Sequence, residues 1–111
     1  MKPIYVNVYT RSRKKGSKWR AYKAKLDTGA EWSRIGAREA AKLGLGPIVG
    51  VRKIRTSSGH KELRIIVPAK LKMGGHLIAA RFSISTRVPG VLIGQKTMGK
   101  RVKVTLVKPD P

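Results

Sequence analysis

The chain has 111 residues, no cysteine, two histidines, and five carboxylates against 26 lysines and arginines, for a formal net charge of +21. That length fits one domain, and the composition excludes disulfides, cysteine-ligated metals and a thiol nucleophile, leaving no cofactor or metal site to expect. Hydrophobic residues at 41% support a small core rather than disorder, and no apolar run approaches the roughly 20 residues of a membrane span. The start, MKPIYVNVYT, has no charged-then-apolar leader, so a cytoplasmic protein without a membrane partner is expected.

Ile4, Val6 and Val8 alternate with polar and tyrosine positions, which predicts a strand over 3–10. The run Arg11 to Arg20, with Gly16-Ser17 inside it, reads as a basic hairpin tip. Tyr22, Ala24 and Leu26 resume the alternation in a strand that ends at Asp27. Ala37, Ala40, Ala41 and Leu43 follow helical spacing, with Gly44 as the stop. Val51 to Thr56 is a short strand, and Ser57-Ser58-Gly59-His60 a turn. Leu63, Ile65, Val67, Ala69, Leu71 and Met73 then occupy every second position, which predicts one buried face of a long strand. Pro68 on the opposite face points to an edge or a bulge. Gly74-Gly75 turns the chain into a return strand over 77–85, with Ile78, Ala80, Phe82 and Ile84 on one face. Val91-Leu92-Ile93 is a short apolar strand, and Val102, Val104 and Leu106 mark a last one. One short helix among about seven strands predicts a small closed or folded-over sheet.

The segment Leu26-Asp27-Thr28-Gly29-Ala30 stands at a strand end. By itself an Asp-Thr-Gly tripeptide there is an ordinary turn. With its surroundings, Ala24 to Ile35 resembles the active-site region of the retropepsin-like aspartic proteases, where an apolar strand runs into Asp-Thr-Gly-Ala. Val91-Leu92-Ile93-Gly94 resembles that family's second signature, and Thr56 to His60 falls where the family has its flap. The helix ending Leu43-Gly44-Leu45 is similar to small prokaryotic members. The resemblance covers nearly the whole chain in the same order.

The resemblance implies a mostly β, small closed barrel-type domain with one short helix, spanning residues 1–111. It also implies a chemistry that needs two aspartates sharing one proton. The chain offers one such motif, so a peptidase would be a homodimer with catalytic Asp27 from each copy, Thr28 bracing the two loops and Gly29 admitting the substrate backbone. Two departures bear on this. Arg34 stands where the family usually places an aliphatic residue lining a substrate pocket. Gln95-Lys96 follows the second signature where the family has Arg, which leaves Glu31 without an Arg partner.

The charge points elsewhere. Residues 1–25 carry nine cationic side chains and no anionic one. Self-repulsion at this density favours a polyanionic partner. Arg11, Arg13, Lys14, Lys15, Lys18 and Arg20 would contact phosphate, with Trp19 beside them to stack on a base. Arg52, Lys53 and Arg55 form a second cluster, and Lys100, Arg101 and Lys103 a third. A thermophile surface would pair its lysines with glutamates, and the chain has only three. The first expectation for function is therefore a basic RNA-binding protein, ribosomal or ribosome-associated, contacting rRNA and neighbouring ribosomal proteins. The alternative is a homodimeric aspartic endopeptidase.

Overall fold

The computed structural model describes residues 3–56 and 58–99. Among these residues, seven strands form one sheet. β1 (Ile4–Arg11) and β2 (Arg20–Leu26) are the antiparallel arms of the basic hairpin. β3 (Ser33–Gly36) leads directly into the helix α1 (Ala37–Leu43). β4 (Gly50–Arg55), β5 (Lys61–Met73) and β6 (His76–Ser85) follow as a meander, and β7 (Val91–Ile93) closes the series. The spatial order is β1-β2-β7-β3-β6-β5-β4, and β5 also pairs with β1. That extra pairing closes six strands into a barrel and leaves β4 outside it, attached to the first half of β5. The expected strand over 102–106 lies outside the described residues.

The double role of β5 explains its sequence. Its residues Lys61–Ile66 pair with β4, and Lys70–Met73 pair with β1. Pro68 falls between the two partners, where no ladder hydrogen bond is asked of its missing N–H on that side. It is buried and stands opposite Arg81 of β6. The alternation predicts one buried face from Leu63 to Met73, but burial begins only beyond Ile65. Val67, Ala69, Leu71 and Met73 are 1% exposed or less, whereas Leu63 is 68% exposed and Ile65 40%. β6 accompanies β5 only from Ile66 onward, so residues 61–65 project with β4 as a two-stranded ribbon that has no core beneath it.

Inside the barrel, Val8, Ala24, Ile35, Leu71, Phe82, Ile93 and Met98 form a continuous buried cluster, with α1 contributing Ala40 and Leu43. The helix stops where expected. Gly44 adopts φ 64° and donates its N–H back to the last turn, and Leu45 donates to the Ala40 carbonyl. At the other end of α1, Glu39 Oε2 accepts the Gly90 N–H at 2.8 Å, and Gly36 donates to the Gly90 carbonyl at 2.9 Å. A Cβ at Gly36 would lie 2.6 Å from a Glu39 carboxylate oxygen and 3.0 Å from Pro89 Cα, so a larger residue there would push aside the carboxylate that ties the helix to the β7 entry.

The short β3 is not predicted by its sequence. Its four residues contain a single β-branched side chain, Ile35, and no alternation longer than one period. Tertiary context makes it a strand, because it is wedged parallel to β6 and antiparallel to β7.

These placements separate two leucines on the same strand. Leu71→Ala should cost about 2–5 kcal/mol by urea unfolding, as for other buried leucines. Leu63→Ala should stay within about 0.5 kcal/mol, as for exposed sites.

Candidate active site

β2 and β7 lie side by side in parallel, with Leu26 opposite Ile93. Parallel strands end at the same edge, so the chain leaving β2 and the chain leaving β7 emerge together. The Asp27 N–H donates to the Ile93 carbonyl at 3.0 Å, which extends the ladder by one residue. The Asp27 carboxylate then turns back on its own loop, where Oδ1 accepts the Gly29 N–H at 3.0 Å, while Ala30 N–H donates to the Asp27 carbonyl at 3.1 Å. This is an Asx turn, which a short acidic side chain forms locally. Thr28 and Gly29 are exposed at its tip, and Asp27 is partly buried.

The segment after β7 clamps this loop. Residues 95–99 are helical. Gln95 N–H donates to the Ala30 carbonyl at 2.8 Å and Lys96 N–H to that of Glu31 at 3.1 Å. The Gln95 side-chain amide donates to the Thr28 carbonyl. Beneath them, Ser33 Oγ accepts the Gly94 N–H at 3.0 Å and is hydrogen-bonded to the buried Thr97 hydroxyl. A Cβ on Gly94 would lie 2.6 Å from the Trp32 carbonyl oxygen and 2.8 Å from that of Ala30. Glycine is required there by the closeness of the two backbones. Glu31, expected to lack an arginine partner, has a cationic one in Lys96 at 3.3 Å, whose ammonium also lies 4.2 Å from the Trp32 ring centroid. Both charged groups are more than half exposed, so the pair adds little stability.

Asp27 opens onto a cleft of about 1020 Å³. Its floor is the outer face of β3, β6 and β7, carrying Arg34, Ser83, Ser85 and Leu92. Register agrees, since Arg34 stands opposite Ser83 on one side and Leu92 on the other. Its roof is the β4–β5 ribbon with its tip at Thr56, Ser58 and His60. That tip is a closed turn: Thr56 N–H donates to the His60 carbonyl at 2.7 Å and Gly59, at φ 87°, donates to the Thr56 carbonyl at 2.9 Å.

Two arginines meet in this cleft. Arg64, on the ribbon, is 10% exposed and is held by Glu62, whose Oε1 lies 2.6 Å from both Nε and Nη2. The two share a strand face at i and i+2, a signal the sequence carries and the charge clusters obscure. Arg34 lines the floor. Its Nε is buried without an acceptor among the described residues. Burial, and then the like charge of Arg64, hold the Arg34 guanidinium below its ordinary pKa, while the negative charge of Asp27 pulls it the other way.

The basic residues singled out in the sequence are dispersed. Arg13, Lys14, Lys15, Lys18 and Arg20 are exposed on the β1–β2 hairpin. Seven residues of β2 at about 3.3 Å each put that hairpin roughly 20 Å from Asp27. Trp19 is only partly exposed and already carries two cations, Arg11 at 5.1 Å and Lys72 at 4.4 Å from its ring centroid. Lys53 and Arg55 border the cleft, and Arg52 pairs opposite Arg64. Lys100, Arg101 and Lys103 lie outside the described residues.

The closed barrel resembles solved protease structures. It matches EIAV protease complexed with the inhibitor HBY-793 over 99% of this chain and 94% of that one, with a TM-score of 0.72 and 18% identity. It matches the solution structure of simian foamy virus (mac) protease over 96% and 99%, with a TM-score of 0.64 and 16% identity. The fold is that of the retropepsin-like proteases. A foamy viral protease–reverse transcriptase in complex with an RNA/DNA hybrid matches over 96% of this chain, with a TM-score of 0.61 and 20% identity, but the chain spans only 12% of that protein's length. No protein-family profile matches the sequence, and comparison with curated proteins finds no match.

In this retropepsin-like frame the Gly94 contact holds the Asp27 loop in place. Gly94→Ala should lower stability by about 1–3 kcal/mol, the usual cost of overpacking a tight contact. The measurement is a denaturant midpoint compared with that of Gly29→Ala, whose Cβ would approach only the Asp27 carboxylate, at 3.3 Å.

Proposed function

We propose that the chain is an aspartic endopeptidase that acts as a homodimer, each copy contributing Asp27. The observation that carries this reading is the state of the cleft's carboxylates. Glu62 is paired with Arg64 and Glu31 with Lys96, whereas Asp27 has no cation within ion-pair distance among the described residues. It is held by a backbone N–H and lines a cleft of about 1020 Å³. The likeness to an inhibitor-bound viral protease supports the same reading.

Two Asp27 carboxylates brought together across a two-fold axis would share one proton. The ionised one takes a proton from water as the water oxygen attacks the peptide carbonyl carbon, and the protonated one gives its proton to the carbonyl oxygen. The tetrahedral intermediate then breaks its C–N bond, and the nitrogen leaves as an amine after taking a proton from the dyad. The exposed Gly29 lets the substrate backbone lie against the loop, and Thr28 stands at the loop tip where the second copy would meet it.

Pairing two chains of formal charge +21 is opposed by repulsion that salt screens. Peptide hydrolysis should therefore rise more steeply than linearly with protein concentration, and association should strengthen as salt rises from low ionic strength. Asp27→Asn should abolish hydrolysis while leaving the thermal transition within a few degrees. Unchanged hydrolysis in that variant would overturn the reading.

A second reading, binding of structured RNA with the ribosome as its setting, rests on the exposed cations of the β1–β2 hairpin. It is separable from the first because the hairpin and Asp27 lie at opposite ends of β2. Neutralising Arg13, Lys14, Lys15 and Lys18 together should flatten the salt dependence of RNA affinity by up to about four counterions' worth of slope. Asp27→Asn should leave that affinity unaltered.

A further inference from the structure

An unpartnered arginine in the floor of a peptide-sized cleft is a chemical constraint on what the cleft can hold. Arg34 is the side chain concerned. Its neighbours on the floor are the hydroxyls Ser83 and Ser85 and the apolar Leu92, and the arginine above it, Arg64, already has Glu62. Its Nε–H is shielded from solvent and has no acceptor among the described residues. At the rim stands a further cation, Arg87, and the ribbon border adds Lys53, Arg55 and Lys61.

A ligand entering this cleft expels the water that solvates the exposed part of the Arg34 guanidinium. An apolar side chain laid over it would leave a charged donor set without partners, which is costly. A carboxylate would instead offer two acceptor oxygens to the planar fork of donors, the arrangement that makes arginine–carboxylate contacts strong and directional. The same carboxylate would relieve the repulsion between Arg34 and Arg64, which share the cleft. Charge balance supports this choice, since the carboxylates bordering the cleft are Asp27, Glu31 and Glu62, and two of these are already engaged.

We infer that the substrate is an acidic peptide, with an Asp or Glu side chain close to the bond that is cut and its carboxylate seated on the Arg34 guanidinium. The inference rests on the peptidase reading and names the substrate class of that same site. Arg34 and Asp27 line one cleft, so the acidic residue lies within a few positions of the scissile bond. A two-fold dimer presents one Arg34 on each side of the dyad, so acidic residues are favoured on both sides of the cut. Arg34 is here a specificity-determining residue and takes no part in proton transfer.

The test uses two peptides that differ only in Glu or Gln flanking the scissile bond, assayed with the full chain at one fixed, moderate salt concentration that screens the repulsion between copies. The Glu peptide should have a kcat/KM at least about tenfold higher, the smaller end of what a charge-assisted hydrogen bond contributes. Arg34→Leu should bring that ratio close to one, and Arg34→Lys should keep part of it. The lysine variant preserves the charge, so it decides the matter if the leucine variant does not fold. Equal kcat/KM for the two peptides would overturn the inference and leave the peptidase reading standing.

If neither peptide is cut, the peptidase reading fails by itself and the same pair is measured for binding. Tighter binding of the Glu peptide to Asp27→Asn protein, lost on adding Arg34→Leu and kept only in part on adding Arg34→Lys, would uphold the acidic-peptide site without catalysis. Equal binding would overturn it. An RNA oligonucleotide that displaces the Glu peptide and depends on Arg34 more strongly than the peptide does would also overturn it, by making nucleic acid the occupant.

Discussion

The parallel pairing of β2 with β7 is the contact on which the site depends. It is only three residue pairs long, Ala24 to Leu26 against Val91 to Ile93, yet it brings together two segments about 65 residues apart in sequence. The Asp27 N–H continues that ladder onto the Ile93 carbonyl, and the backbone of Gln95 and Lys96 then fastens the loop from its other side. Parallel strands need a long crossover, and nearly the whole fold is that crossover. β3, α1 and the β4–β5–β6 meander lie between the two strands in the chain and wrap around to close the barrel. The aspartate's backbone is thus fixed by hydrogen bonds to rigid elements, and among the described residues its carboxylate is held through one oxygen by the Gly29 N–H, which leaves the other free of a hydrogen bond.

The distribution of charge follows from the same architecture. The barrel's interior is apolar, so the described cationic residues sit on the hairpin tip, the ribbon, the helical segments, the loops and the outer faces of strands. Most sit in water and do nothing local. Trp19 lies between Arg11 and Lys72, and Trp32 beneath Lys96, so both tryptophans serve as platforms for cations. Arg34 differs because β3 is an inner strand. Its alternate residues Ser33 and Ile35 point inward, so residue 34 must face the cleft whatever its type. On the proposed reading, an arginine at that register gives the cleft a preferred sign of charge.

Much of this was legible in the sequence, and the gaps have physical causes. The strand-end aspartate, the helix with its glycine stop, the Gly74-Gly75 turn and the Val91–Ile93 strand are all local features, set by alternation or by residues with special backbone freedom. β3 was not legible, because Ser33–Gly36 is a strand only by virtue of β6 and β7 on its flanks. The buried face of β5 was over-read at Leu63 and Ile65. Alternation says which residues share a face but not whether a core lies beneath it, and the ribbon runs beyond the barrel there. Glu31 has no arginine at position 95, and Lys96 supplies its cation from one residue further along. The dispersed cations misled in a different way. Net charge describes a field rather than a site, and only the folded chain shows that, of the two arginines whose buried Nε lacks an acceptor among the described residues, Arg11 lies over Trp19 and Arg34 lines the cleft.

Binding stoichiometry tests the central claim, that the site is built from two copies of Asp27, most directly. A peptide in which the scissile amide is replaced by a hydroxyl-bearing tetrahedral isostere mimics the intermediate and binds where the dyad is assembled. Calorimetric titration should give one such molecule per two chains, with the heat lost in Asp27→Asn. A stoichiometry of one per chain, or binding indifferent to Asp27→Asn, would contradict the account.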